Sequence, residues 1–182
     1  MPKGIKKKTL IDKSWVFKII LFTFITSMIF SYGSDIIISK SGIIVSIFVL
    51  LLFIFLGIIF DIIGIAVTAS DEKTFHSMAS KRVKGAKLAI RLKQSSPKVS
   101  NFCNDVVGDI CGIVSGSAGA TIAVVLSSKY KIDISLVVLI MTSLIASLTI
   151  GGKALGKGYA VKKSNEIHLR FAQMLSIFVK DK

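Results

Sequence analysis

Three carboxylates stand inside apolar text: Asp61, Asp105 and Asp109. An ionisable side chain at membrane depth is costly and marks a functional position by default. The residues spaced around these acids are small or polar. Gly57, Asp61, Gly64 and Thr68 follow one another at intervals of four, three and four, which puts them on one helical stripe. Asn101, Asp105, Gly108, Asp109, Gly112, Gly116 and Gly119 make a second stripe. Val106, Val107, Ile110 and Val114 point away from it, toward lipid or neighbouring helices. Ser143, Ser147 and Gly151 give a third. Gly108, Gly112 and Gly116 repeat every four residues, the spacing that lets helix backbones approach closely in a membrane. Close helices presenting acids, hydroxyls and carbonyls suit a hard cation, which takes oxygen ligands. Asp61, Asp105 and Asp109 are therefore the expected metal ligands. A plainer reading stands beside this one, with the acids protonated or paired with basic residues at the inner border such as Lys98 or Lys153.

Enzymatic chemistry finds no foothold. The chain has no Ser/His/Asp set, P-loop, G-x-G-x-x-G or HExxH motif. Cys103 and Cys111, eight residues apart, form neither a disulfide framework nor a zinc spacing. Two histidines, His76 and His168, are too few for a histidine-rich metal site. No enzyme and no resident cofactor are expected.

Such stripes need long helices to hold them at depth, and the composition supplies these. Of 182 residues 52% are hydrophobic, with a mean hydropathy of +0.73, yet the net charge is +14. A water-soluble domain this apolar has too little polar surface, and a disordered basic tail is poorer in aliphatics. The combination fits a membrane protein whose charge sits in cytoplasmic loops. Apolar stretches run over about residues 15–32, 42–69, 102–126 and 134–150. A bilayer core takes about 20 helical residues, so each stretch reads as a span. The first follows Lys3, Lys6, Lys7 and Lys8, as a signal peptide does, but no small-x-small cleavage site follows it. It is read as a retained helix. With the N-terminus inside, 21 of the 24 basic residues fall on the inner side, leaving Lys40, Lys129 and Lys131 outside. The positive-inside bias thus predicts four spans with both termini cytoplasmic.

The inner segments carry helices of their own. Ser70 before Asp71 and Glu72 predicts an N-cap with acids in the first turn, and Phe75, Met78 and Ala79 an apolar stripe. A second basic helix is expected over about 81–93, with Val83, Ala86 and Ile90 on one side, broken by Ser95, Ser96 and Pro97. This connector is either a solvated link or a helix pair lying against anionic headgroups. In the tail, Ile167, Phe171, Met174, Leu175 and Phe178 define one apolar face of an amphipathic juxtamembrane helix. His168 falls off that face and is expected at headgroup level rather than as a ligand.

Phe60–Ser70, reading FDIIGIAVTAS, resembles the signature that closes the first helix of the CNNM/CorC-type transmembrane domain. Phe60, Ala66, Val67 and Ser70 keep its frame. The resemblance continues, in degenerate form, through Lys84–Gly85–Ala86–Lys87, Val107–Gly108–Asp109, Thr149–Ile150–Gly151–Gly152 and Asn165–Glu166–Ile167. It implies magnesium transport, a homodimer, and an intramembrane site built from serine, asparagine and glutamate positions. Here Asp61 stands at the serine, Gly64 at the motif's glutamate, and Asp109 at the first asparagine. Ile113 stands at the second asparagine and Gly152 at the glutamate of the last helix. The family's cytosolic CBS pair is not expected in this chain. Residues 1–41 supply a basic N-terminus and an extra first span, and 42–182 the CNNM-like domain with its juxtamembrane helix.

The resulting expectation is an all-α, polytopic protein of the plasma (inner) membrane, functioning in divalent-cation transport or homeostasis, with Mg2+ as the transported ion. Its partners are the bilayer, a second copy of itself and the cation; no nucleic acid is expected. The alternative is a non-transporting scaffold or regulatory partner that binds anionic lipid or another protein.

Overall fold

A computed structural model describes residues 13–177, and every regular element among them is helical. The basic run Lys3, Lys6, Lys7 and Lys8 lies outside the described residues, as do Phe178, Lys180 and Lys182. Helix α1 covers Lys13–Lys40 and α2 covers Ile43–Ala69. The short helices α3, Glu72–Ser80, and α4, Ala86–Gln94, form the connector. The third span begins as α5, Ser96–Ser100, widens to a π-helical segment over Asn101–Val107, and continues as α6, Gly108–Tyr130. Helix α7, Ile134–Lys162, and α8, Ser164–Leu175, complete the chain.

Among the described residues four helices are long and apolar enough to cross a membrane: Val16–Ile38, Ile43–Ala69, Ser96–Tyr130 and Ile134–Lys162. Their outward surfaces carry Phe17, Phe24, Met28, Ile44, Phe48, Leu139 and Ile140, all exposed. Exposure of this kind is ruinous in water and suits hydrocarbon. The protein is multi-pass.

The first span runs past the apolar stretch ending near residue 32, and Ser34 turns its hydroxyl onto the Ser31 carbonyl at 2.9 Å. Chain reversal into α2 follows at Gly42. At the next reversal Lys131 adopts φ 54, a left-handed cap after α6. Asp133 then caps α7, its carboxylate accepting from the Ser135 and Leu136 amides at 2.8 and 3.2 Å.

Helix α2 is central, packing on both α6 and α7, while α1 lies mainly along α6. Toward the hairpin ends, Ile38, Leu50, Ile54, Ala118, Ile122 and Ile145 form one core. Val106, Ile110 and Val114, expected to point away from the polar stripe, do so by burying against Ile19 and Phe53. Pro97 does more than break the connector: it opens the third span from its first turn, where its missing N–H costs nothing.

The fourth span is longer than the apolar stretch ending near residue 150. It continues through Gly151, Gly152 and Gly156 to Lys162. Its buried positions include Ile145, Gly156 and Ala160, whereas Ser143, Ser147 and Gly151 face outward. The reason is steric. A Cβ at Gly152 would overlap Ile58, and one at Gly156 would lie 2.7 Å from Ile62 Cγ1, so these glycines are where α7 closes on α2. The polar stripe expected on this span gives way to a glycine seam.

The connector departs from expectation in two places. Ser70 ends α2 instead of capping α3, with its amide bonded to the Ala66 carbonyl; Asp71 is the N-cap and accepts from Lys73 N at 3.1 Å. Residues 81–85, with Lys81, Arg82 and Lys84 among them, form a turn, and α4 starts only at Ala86, after Gly85 at φ 81. Only glycine adopts that φ freely, and a Cβ there would meet the Gln173 backbone of α8. Leu88 and Ala89 are the buried side of α4, and Val83 is exposed.

With Phe75 and Ala172 these residues form a separate small core joining α3, α4 and α8. The buried stripe of α8 is Ser164, His168 and Ala172, rotated from the face expected through Ile167 and Phe171. His168 is therefore an interior residue and not a headgroup-level one. Its Nδ1 lies 2.8 Å from Ser70 Oγ, and its ring stands edge-on to Phe75 at 4.7 Å.

Candidate cation site at the seam of the second, third and fourth spans

Asp61 sits two turns from the end of α2, on the stripe that Gly57 and Gly64 keep bare. Gly57 lets α2 approach the third span: a Cβ there would stand 3.2 Å from Cys111 Cβ. Gly64 makes room for a residue that the spacing argument passed over. A Cβ at Gly64 would overlap the Asn104 amide, so this side chain lies flat against the α2 backbone, one turn from Asp61. Asn104 Nδ2 donates to Ser100 Oγ at 3.3 Å, which leaves its carbonyl oxygen turned into the protein.

Asp61 is 7% exposed, and among the described residues its Oδ2 finds no hydrogen-bond donor; neither does the buried Asn104 Oδ1. Buried oxygen atoms rarely go without a hydrogen-bond partner. On the other side, Lys153 of α7 brings its Nζ to 3.9 Å from Asp61 Oδ1. The same ammonium lies over Gly108, 3.4 Å from where a Cβ would stand. Three spans thus converge on one carboxylate. Thr68, the last member of the α2 stripe, spends its hydroxyl on the Gly64 and Ile65 carbonyls and offers nothing to the site.

Asp105 and Asp109 are placed differently. Both are exposed, on the outer side of the third span with Gly112, where a Cβ would meet nothing. Among the described residues no three His, Cys, Asp or Glu side chains gather into a metal-binding group. The π-helical segment explains part of this. Its wider turn shifts the register over Asn101–Val107, and Asn104 is the residue set against Gly64. Asn104 stands among polar residues at the mouth of the span, and only a helix register finer than the 3.6 period would have singled it out. Lys153 was legible as a partner for the acids, and it is Asp61 that it meets.

The inner end of the bundle is held by its own polar contacts. Lys93 Nζ donates to the Thr68 carbonyl at 2.6 Å, a cation closing the C-terminus of α2. Burial, and then the charge of Lys93, push the His168 pKa down from 6.5 to about 4. Asn165 Oδ1 accepts from the Asp71 amide at 2.8 Å, and Gln173 Nε2 donates to the Lys84 carbonyl at 3.2 Å. These bonds tie α8 to the end of the span that carries Asp61.

Comparison with curated proteins and with solved structures finds no match. Residues 46–180, covering α2 to the tail, match the family model of the Cyclin M (CNNM) transmembrane N-terminal domain, and the chain belongs to that family.

Proposed function

We propose that the protein takes part in divalent-cation transport or homeostasis, with magnesium as its substrate and Asp61 as the central ligand. One observation carries the reading: among the described residues two buried oxygen atoms, Asp61 Oδ2 and Asn104 Oδ1, stand unpartnered where glycines bring the spans together, Asn104 lying against Gly64, one turn of α2 from Asp61. Oxygen donors of this kind match a hard cation, and family membership supports the same substrate class. Asp105 and Asp109 join the reading from the exposed side of the third span. A second copy of the chain laid on that side would enclose them, with open positions at Gly112 and Gly116 admitting its backbone. Both termini face the cytoplasm of the plasma (inner) membrane in this reading, as the basic inner segments require.

The test is flux and binding together. Full-length protein in liposomes holding a magnesium-sensitive dye should pass Mg2+, and purified protein should be thermally stabilised by it. Asp61→Asn should abolish both, while Asp109→Asn, which restores the family's residue, should keep them. Wild type and both variants responding alike to Mg2+ would remove the site.

A non-transporting scaffold is the second reading, and the Asp61–Lys153 contact is what favours it: a carboxylate with an internal counter-ion does not need a metal.

A further inference from the structure

Lys153 reaches Asp61 at 3.9 Å, a contact of charges that is too long for a hydrogen bond. It therefore balances the carboxylate without using up the site's acceptors, since Asp61 Oδ2 and Asn104 Oδ1 keep no partner. We infer that Lys153 is a tethered counter-ion of the cation site: its ammonium holds the ground beside Asp61, and a divalent ion must expel it to bind. This rests on Asp61 being the ligand proposed above and adds the residue that governs the site's occupancy.

The fold prepares this arrangement from three sides. Gly152 and Gly156 seat α7 on Ile58 and Ile62, which fixes the height at which Lys153 leaves its helix. Gly108 clears the surface of the third span over which the ammonium lies. Asp61 is held on α2, which packs against both the third span and α7.

Electrostatics then makes occupancy exclusive. An ammonium and a divalent ion cannot share one carboxylate in a low-dielectric setting, because their repulsion rises as the dielectric falls. With no ion bound, the lysine spares the protein a buried, uncompensated charge. A monovalent ion brings no more charge than the ammonium it would displace, so the exchange favours a divalent one. Lysine suits the task better than arginine, having a flexible stem and a compact head that makes no bidentate clamp. About a quarter of its side chain is exposed, which leaves it a way out toward the α7 end that carries Lys157 and Lys162. Being tethered, it competes at a high effective concentration and raises the Mg2+ needed for half-occupancy.

The experiment uses the full chain in nanodiscs with Mg2+ alone as probe. Thermal stability is titrated for wild type, Lys153→Met and Asp61→Asn, and acylation of Lys153 in wild type is followed by mass spectrometry. Lys153→Met should reach half-maximal stabilisation at roughly tenfold lower Mg2+ than wild type, since the intramolecular competitor is gone. It should melt below wild type without Mg2+ and recover that loss when Mg2+ saturates. In wild type, Mg2+ should increase the acylation of Lys153, and Asp61→Asn should remove that increase. A response in Lys153→Met with none in wild type also supports the inference. Equal midpoints for wild type and Lys153→Met, with Asp61→Asn unresponsive, overturn it and leave the Asp61 site standing. No response in any of the three overturns the Asp61 reading itself. If Lys153→Met does not fold, acylation in wild type decides alone: Mg2+ that leaves Lys153 labelling unchanged while stabilising the protein sinks the inference.

Discussion

At the scale of single residues, the site is a balance between charge and space. Asp61 is kept from water by close helix packing, and that packing exists because Gly57, Gly64 and Gly108 carry no side chains. Each glycine thereby shapes the surroundings of Asp61 through the space it leaves. Gly64 gives the sharpest test, because the atom nearest to its missing Cβ is the Asn104 amide oxygen. Gly64→Ala should push Asn104 off the α2 surface and destabilise the protein by about 1–3 kcal/mol, the usual cost of overpacking. Stabilisation by Mg2+ should be lost with it. A wild-type melting temperature and Mg2+ response in Gly64→Ala would show that the Asn104 amide has no part in the site.

Among the elements, α8 carries a buried titratable group, His168. His168 is wholly buried, and among the described residues its Nε2 has no partner. Lys93 of α4 acts on it, and its charge opposes a second one nearby. The sign follows from the depressed pKa. Above pH 6.5 the imidazole is neutral in both folded and unfolded chains, and the stability it allows is fully present. Between 6.5 and about 4 the unfolded chain takes up a proton that the folded one refuses, so stability falls as pH falls. The whole loss is about 3 kcal/mol at most. Proteolysis within 164–175 should accelerate as pH drops through this window, and His168→Gln should flatten the profile. A pH-independent cleavage rate in wild type would show that His168 does not govern the docking of α8.

For the whole molecule, orientation across the membrane is the property with most at stake. Asp61, the proposed cation ligand, lies nearer the end of the bundle occupied by α3, α4 and α8 than the end with the two hairpin turns. Access from the cytoplasm therefore requires that end to be the inner one. A reporter placed after Lys182 should be cytoplasmic, and one placed between Ser41 and Gly42, where the chain reverses, should be external. The turn is the better insertion point, because Ser34 lies buried within α1. A cytoplasmic signal from the 41–42 reporter would overturn both the orientation and the direction of approach. The added helix α1 lies before the residues matched by the family and packs along the third span, so it sheathes one flank of the domain.

By itself, the sequence determined the spans and the membrane class, since the length and apolarity of each stretch leave a helix in hydrocarbon as the available solution. It also determined the family, through the text around Phe60–Ser70 and its later echoes, and it marked Asp61 as the acid at the centre of a glycine-lined stripe. The short helices were legible in kind but not in their limits. Asp71 outcompetes Ser70 as a cap, and the turn at Gly85 is dictated by the approach of Gln173, 88 residues further along the chain. The tertiary structure alone decided which polar residues meet. Periodicity assumes an unbroken 3.6-residue helix, and the π-helical segment over Asn101–Val107 breaks that assumption where it matters most, setting Asn104 against Gly64 and leaving Asp105 and Asp109 on the outside. Likewise, the sequence offers Lys98 and Lys153 alike as partners for the three acids, and it is the closure of α7 onto α2 at Gly152 and Gly156 that carries Lys153 to Asp61. Helix faces are local properties of a chain, whereas the pairing of faces depends on which seam can close, and closure is settled by small residues on both partners at once.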